Sequence, residues 1–213
     1  MRKIDLRDIP VIYMNLEQHT EKDANMRKIL FECGFKTILR IEGVARPDNP
    51  IAGCSSAHHK TLMEIDPPFI IFEDDCQIGN NTIFANNTTL GGHVEVGDYV
   101  IFGGFSGAHQ FCKIGAHSFL GMYSGVARDL PPYIIVMGQP AEPRGINLEG
   151  IKRRDFSEDQ IRNIKSAYKA LYMSDLRLEE ATKSIQDLGD INGEINILVD
   201  FLRNTTRGIV RKG

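Results

Sequence analysis

Every sixth residue from Ile78 is apolar: Ile78, Phe84, Leu90, Val96, Phe102, Ala108, Ile114, Leu120 and Val126. In a chain that is 42 % apolar, such a run arises by chance with a probability on the order of 0.001. The position after each reads Gly79, Ala85, Gly91, Gly97, Gly103, His109, Gly115, Gly121 and Ala127, so His109 alone departs from Gly or Ala. Four residues beyond each apolar position come Thr82, Thr88, Val94, Val100, Ser106, Cys112, Ser118 and Ser124, all small or β-branched.

Three columns in register have a steric meaning. A long apolar side chain fills a prism axis, a small residue follows at a corner where φ is unusual, and a compact one points inward beside the next strand. Three hexads close one triangular coil, and the eighteen-residue echo is visible in Cys76-Gln77-Ile78-Gly79, Val94-Glu95-Val96-Gly97 and Cys112-Lys113-Ile114-Gly115. The expected fold of 76–129 is a left-handed parallel β-helix of about three coils.

The flanks follow other patterns, so the fold class is mixed. Ser157-Glu158-Asp159-Gln160 is a capping-box signature, followed by Ile161, Ile164, Ala167, Tyr168 and Leu171 at helical spacing. Further helices are expected over 178–188 and about 192–205, the latter with Ile195, Leu198, Val199 and Leu202 on one face. Residues 1–75 read as a partial α/β segment, with strands over 11–16, 37–41 and 69–72 and a helix over 21–33 closed by Gly34. The expected division is 1–75, then the β-helix and its extension over 76–150, then a C-terminal helical domain over 151–213.

Composition excludes some functions. The net charge is −3, and Lys113 and Arg128 are the sole basic residues between 76 and 130, so no footprint for a nucleic acid is present. Cys33, Cys54, Cys76 and Cys112 show neither close pairing nor metal-ligand spacing, which suits reduced thiols in a cytoplasm. Met1-Arg2-Lys3 leads into charged residues rather than an apolar core, so no signal peptide or transmembrane segment is expected.

From Asp75 to about Arg211 the chain resembles the UDP-N-acetylglucosamine O-acyltransferases of lipid A biosynthesis. The motifs are Ala85-Asn86-Asn87-Thr88-Thr89-Leu90, Gly92-His93-Val94, Ala108-His109-Gln110-Phe111-Cys112, Ser124-Gly125-Val126-Ala127, Pro131-Pro132-Tyr133, Asn147-Leu148-Glu149-Gly150-Ile151-Lys152-Arg153-Arg154 and Thr206-Arg207-Gly208. The resemblance implies a homotrimer with sites between neighbouring β-helices, transferring a 3-hydroxyacyl chain from acyl carrier protein to the sugar without a cofactor. It further implies that the Gly92 N–H faces the thioester oxyanion and that His93 and His109 line the cleft. Gln110 would contact the nucleotide, and Asn147, Glu149, Arg153 and Arg154 would hold the UDP moiety, two guanidinium groups suiting a diphosphate. Met122 matches the position that limits acyl length, where a bulky side chain implies a shorter acyl group. On the residues alone, Arg153 and Arg154 beside Lys152 also read as a solvated helix start, His93 as an outward polar residue and Met122 as gap filling.

One motif departs from that pattern. The family's general base is a His immediately before the Asp-Cys pair, and here that place holds Asp74, with Asp75 at the position of the base's partner. Residues 10–76 resemble instead the start of glycosyltransferase family 25, in Val11-Ile12-Tyr13-Met14-Asn15-Leu16, Glu42-Gly43-Val44, Gly53-Cys54-Ser55-Ser56-Ala57-His58 and Phe72-Glu73-Asp74-Asp75. That resemblance implies an acidic cluster, Asp74 and Asp75 within it, holding a divalent metal such as manganese, although the residues alone also fit a solvated acidic turn. The two resemblances meet at Asp74-Asp75-Cys76, as in a fusion at a short common sequence. Three readings follow: an acyltransferase impaired at its base, a metal-dependent sugar transferase fragment, or a non-catalytic trimer that binds UDP-sugar or acyl carrier protein.

Overall fold

The computed structural model describes residues 76–211 throughout. In the N-terminal part it describes the strands β1 (Val11–Asn15), β2 (Ile38–Glu42) and β3 (Ile70–Glu73), with helical positions at Ala24, Arg27 and Lys28. Asp74 and Asp75 lie outside the described residues.

Nine two-residue strands make a left-handed parallel β-helix. The first face is β4 (Gln77–Ile78), β7 (Glu95–Val96) and β10 (Lys113–Ile114). The second is β5 (Ile83–Phe84), β8 (Ile101–Phe102) and β11 (Phe119–Leu120). The third is β6 (Thr89–Leu90), β9 (Gly107–Ala108) and β12 (Gly125–Val126). In each strand the second residue points inward, and from Phe84 to Val126 these are at most 7 % exposed. Thr88, Val94, Val100, Ser106, Cys112, Ser118 and Ser124 are buried beside them. Burial of each large apolar side chain contributes about 1.5–3 kcal/mol, so the hexad pattern is the main stabilising feature of the prism.

The corners differ from expectation. The small-residue column does not carry the unusual φ. Positive φ falls two residues later, on Asn81, Asn87, His93, Tyr99, Phe105, Phe111, His117 and Tyr123, at 55° to 63°. Each such L-residue costs roughly 1 kcal/mol, and the stack offsets it. The N–H of Tyr99 donates to the Asn80 carbonyl at 2.8 Å, and that of His117 to the Asp98 carbonyl at 2.8 Å. Side chains eighteen residues apart then stack: His93 on Phe111, Tyr99 on His117, Phe105 on Tyr123. The small column is small for another reason, close approach of successive coils. A Cβ on Gly91 would lie 2.7 Å from the Gln110 nitrogen, and one on Gly97 2.7 Å from the Ala116 nitrogen.

The prism continues beyond the repeat. Leu130 bridges Ile114, and β13 (Ile134–Met137) pairs parallel with β11, with no hexad pattern to announce either. Chain reversal then lays β14 (Glu142–Ile146) antiparallel on β13 and closes the second face. Four helices follow: α1 (Leu148–Lys152), α2 (Glu158–Tyr172), α3 (Leu178–Gln186) and α4 (Glu194–Arg203). The Ser157 capping box forms as expected, Ser157 Oγ accepting from Gln160 N and Gln160 Oε1 from Ser157 N. α4 starts later than its apolar spacing suggests because the Asp190 carboxylate caps it, accepting from the N–H groups of Gly193, Ile195 and Asn196.

Asp129 ties the helices back to the prism. Its buried carboxylate accepts from Lys113 N at 2.9 Å, Thr205 Oγ1 at 2.5 Å and Thr206 N at 3.1 Å, while Ile209 forms a parallel bridge to it. At the other end, β3 pairs parallel with β6, β1 with β3 and β2 with β1. The third face thereby becomes a six-stranded sheet, and the edge of β6 is covered by the N-terminal strands.

Candidate functional site

The outward residues of the strands give each face its character. The first carries Gln77, Glu95 and Lys113, the third Thr89, Gly107 and Gly125, and the second the apolar Ile83, Ile101 and Phe119. The β13–β14 reversal delivers α1 across this apolar second face. Between them lies an open groove of about 490 Å3, lined by Ile83, Ile101, Phe119, Asn147, Glu149, Gly150, Arg153 and Arg154. All four residues expected to hold the UDP moiety therefore meet in one groove.

Their roles there differ. Asn147 is buried, its Nδ2 donating to the His117 carbonyl at 2.9 Å and its Oδ1 accepting from Gly150 N at 3.1 Å, so it caps α1 and pins it to the coil below. Arg154 is half-buried. Its Nη1 donates to the Gly150 carbonyl at 2.9 Å, and its guanidinium lies 4.4 Å from the centre of the Tyr99 ring. Glu149 and Arg153 are exposed at the rim.

Beneath Arg154 runs an aromatic column. His117 is stacked between Tyr99 at 4.9 Å and Tyr133 at 5.6 Å, with Phe156 edge-on at 5.1 Å. Burial first, and the nearby Arg154 charge second, lower the His117 pKa to about 4, so the ring is neutral at physiological pH. Its Nδ1 and the Arg154 Nε are both buried without a hydrogen-bond partner. The sequence expectations did not include Tyr99 or His117. Their spacing of one full coil was the available signal.

Gly92, His93, His109 and Gln110 occupy a different place, the corner between the third and first faces. His93 is exposed at φ 59° and stacks on Phe111 at 4.6 Å, while the buried Gly92 accepts at its carbonyl from Phe111 N at 2.9 Å. His109 is exposed, with Nδ1 3.3 Å from the Gln110 carbonyl. This corner lies across the prism from the second face, so within one chain the histidines and the groove do not meet. Met122 sits at the third corner, 66 % exposed beside the Phe105–Tyr123 stack.

The Cys76 thiol donates to the Gly91 carbonyl at 3.3 Å, and burial pushes the Cys112 thiol up to about 11; Cys33 and Cys54 lie outside the described residues. Among the described residues, no cluster of His, Cys, Asp and Glu is arranged to hold a metal ion, and no helix is long and apolar enough to cross a membrane.

Residues 75–110 match the family model of bacterial transferase hexapeptide repeats, and residues 129–210 match the second domain of UDP-N-acetylglucosamine O-acyltransferase. Most of this chain is similar to that acyltransferase. The protein named acyl-[acyl-carrier-protein]–UDP-N-acetylglucosamine O-acyltransferase in Thiobacillus denitrificans is 46 % identical over 154 residues, 72 % of this chain and 58 % of the relative. That of Burkholderia orbicola is 48 % identical over 141 residues, 64 % of this chain and 54 % of the relative. The crystal structure of the Moraxella catarrhalis acyltransferase superposes with a TM-score of 0.64 at 35 % identity, over 67 % of this chain and 56 % of that one. The Francisella novicida acyltransferase gives 0.65 at 36 % identity, over 67 % and 52 %. The chain thus spans little more than half the length of the curated relatives it matches.

Proposed function

We propose that this chain is an acyl-carrier-protein-dependent UDP-N-acetylglucosamine 3-O-acyltransferase whose nucleotide-sugar groove is kept and whose proton-transfer step is impaired at Asp74. The observation that carries the reading is the convergence of Asn147, Glu149, Arg153 and Arg154 on one groove over an apolar face. Two arginines lining one groove suit a diphosphate, which needs both charge and directed donors.

Acyl transfer requires a base to take the proton of the sugar hydroxyl, whose oxygen then attacks the thioester carbonyl. The Gly92 N–H would donate to the resulting oxyanion, and the carrier's thiol leaves with a proton. None of these steps calls for a metal or an organic cofactor. An aspartate with a pKa near 4 is a poor base at neutral pH, and loss of a positioned base lowers such rates by roughly 10²–10⁴-fold.

The separation of the histidine corner from the groove supports a homotrimer. Rotation about a threefold axis would set His93, His109 and Gln110 of one copy against Arg153 and Arg154 of the next, with Met122 limiting acyl length. Acyl carrier protein as donor places the reaction in the cytoplasm. Manganese-dependent hydrolysis of a UDP-hexose, lost in Asp75→Ala, is the outcome that would point instead to a sugar transferase over residues 10–76.

Calorimetric titration with UDP-N-acetylglucosamine tests the main reading. Binding is expected in the native chain and is weakened at least tenfold by Arg153→Ala. Absence of binding would overturn it.

A further inference from the structure

Besides their bonds to Gly150, the groove's two inner residues, Asn147 and Arg154, both lean on His117, a residue that neither the quoted family motifs nor the hexad pattern marks. Asn147 Nδ2 donates to the main-chain carbonyl of His117 at 2.9 Å. Arg154 lies 4.4 Å from the ring centre of Tyr99, and Tyr99 stacks on the His117 imidazole at 4.9 Å with the planes 15° apart. On its other side the imidazole meets Tyr133 at 5.6 Å, and Phe156 closes the edge. Tyr133 is itself immobilised, its hydroxyl donating to the Glu194 carbonyl at 3.1 Å. His117 is therefore the middle member of a clamped column whose free end carries a guanidinium.

We propose that His117 is a positioning residue of the groove, acting as a neutral flat spacer that sets the height of Tyr99 and so the place of the Arg154 guanidinium. The proposal rests on the reading of that groove as a site for a nucleoside diphosphate sugar, which it deepens by naming what holds the inner arginine. Three observations support it. The ring is buried, so it does not itself reach a ligand. Its Nδ1 is buried with no hydrogen-bond partner, so no polar contact at that atom fixes the ring, which is held by stacking on both faces. Charge would work against the arrangement. Among the described residues, Arg154 is the cation next to the ring, Asp98 the acid acting on it, and Tyr99 and Tyr133 the titratable groups on its faces. A protonated ring would set a second cation under Arg154.

The test uses the full chain with His117→Ala and His117→Phe, read in two ways. The first is the Arg154 Nε–H resonance of the ligand-free protein. It is expected to be resolved in the native chain and in His117→Phe, where a flat ring is kept, and to move to the solvent-averaged position in His117→Ala. The second is UDP-N-acetylglucosamine affinity, expected to fall roughly tenfold in His117→Ala and to stay within about twofold in His117→Phe, as for loss and rescue of a supporting residue. The native chain and His117→Phe are also expected to share one pH profile of UDP-N-acetylglucosamine affinity wherever the native ring is neutral, above about pH 5. An Arg154 resonance unmoved in His117→Ala, or affinity profiles of the native chain and His117→Phe that diverge in that range, overturns the proposal. Should the resonance behave as expected while no chain binds the nucleotide sugar, the support stands as described and the reading of the groove falls instead.

Discussion

Leu90, Phe102 and Leu120 are buried in the coils by a pattern that repeats every six residues, while Leu130, Ile134 and Val136 are equally buried just above them with no repeat at all. The coils are specified by sterics. Each strand needs an apolar side chain inward and a small residue where the next coil presses on it, and any hexad meeting those conditions serves. The crown is specified by particular hydrogen bonds: Asp129 to the C-terminal turn, Asn147 to the His117 carbonyl, the Tyr133 hydroxyl to Glu194. The groove lies where the two meet, which teaches that the repeat supplies a platform and the non-repeating segment supplies the directed polar groups.

The contrast predicts where the molecule breaks. Asp129→Ala leaves the N–H groups of Lys113 and Thr206 and the Thr205 hydroxyl without their acceptor and is expected to cost roughly 4 kcal/mol in denaturant unfolding. A much smaller loss would mean the crown is held mainly by apolar packing. Within the coils, Gly97→Val puts a branched side chain where a Cβ already lies 2.7 Å from the Ala116 nitrogen, for about 3 kcal/mol of overpacking. A neutral outcome there would show that coils can spread.

Next in size is a pH effect from the column between the two regions. Below about 6.5 the unfolded chain protonates His117, whereas the native ring resists until about 4. The unfolded state binds more protons in that window, so stability falls as pH is lowered from 6.5 towards 4, by ~2 kcal/mol after allowance for solvent screening. His117→Phe should flatten the melting curve across that range relative to the native chain. The smallest effect belongs to the helices. Asp190→Ala removes the cap of α4 and is expected to cost about 1 kcal/mol, with the loss of protection confined to the amides of Gly193, Ile195 and Asn196 in hydrogen exchange.

Legibility in the sequence follows the same division. The inward column and the small column could be read because sterics restrict residue type there, and the strands at 11–15, 38–42 and 70–73 because short β-branched runs are bounded by polar ones. The positive-φ column was missed because Asn, His, Tyr and Phe fill it without a glycine to mark it. Asn81 and Asn87 were the chemical hint, since Asn tolerates that region. The extra turn over 130–141 and the Asp129 staple were illegible because each depends on contacts far apart in sequence. For the groove, Asn147, Glu149, Arg153 and Arg154 came from motif resemblance alone, and nothing local distinguishes such arginines from a solvated helix start. Tyr99 and His117 needed the coil length to be used as a ruler for aromatic residues as well as for apolar ones.

The proposed function has binding survive while proton transfer is impaired at Asp74. Its most direct test is the rate at which the chain acylates UDP-N-acetylglucosamine from a 3-hydroxyacyl carrier protein, measured beside Asp74→His. Little or no product from the native chain and a gain of at least roughly 100-fold on substitution is the predicted result. Full turnover by the native chain, or none by either, would contradict it.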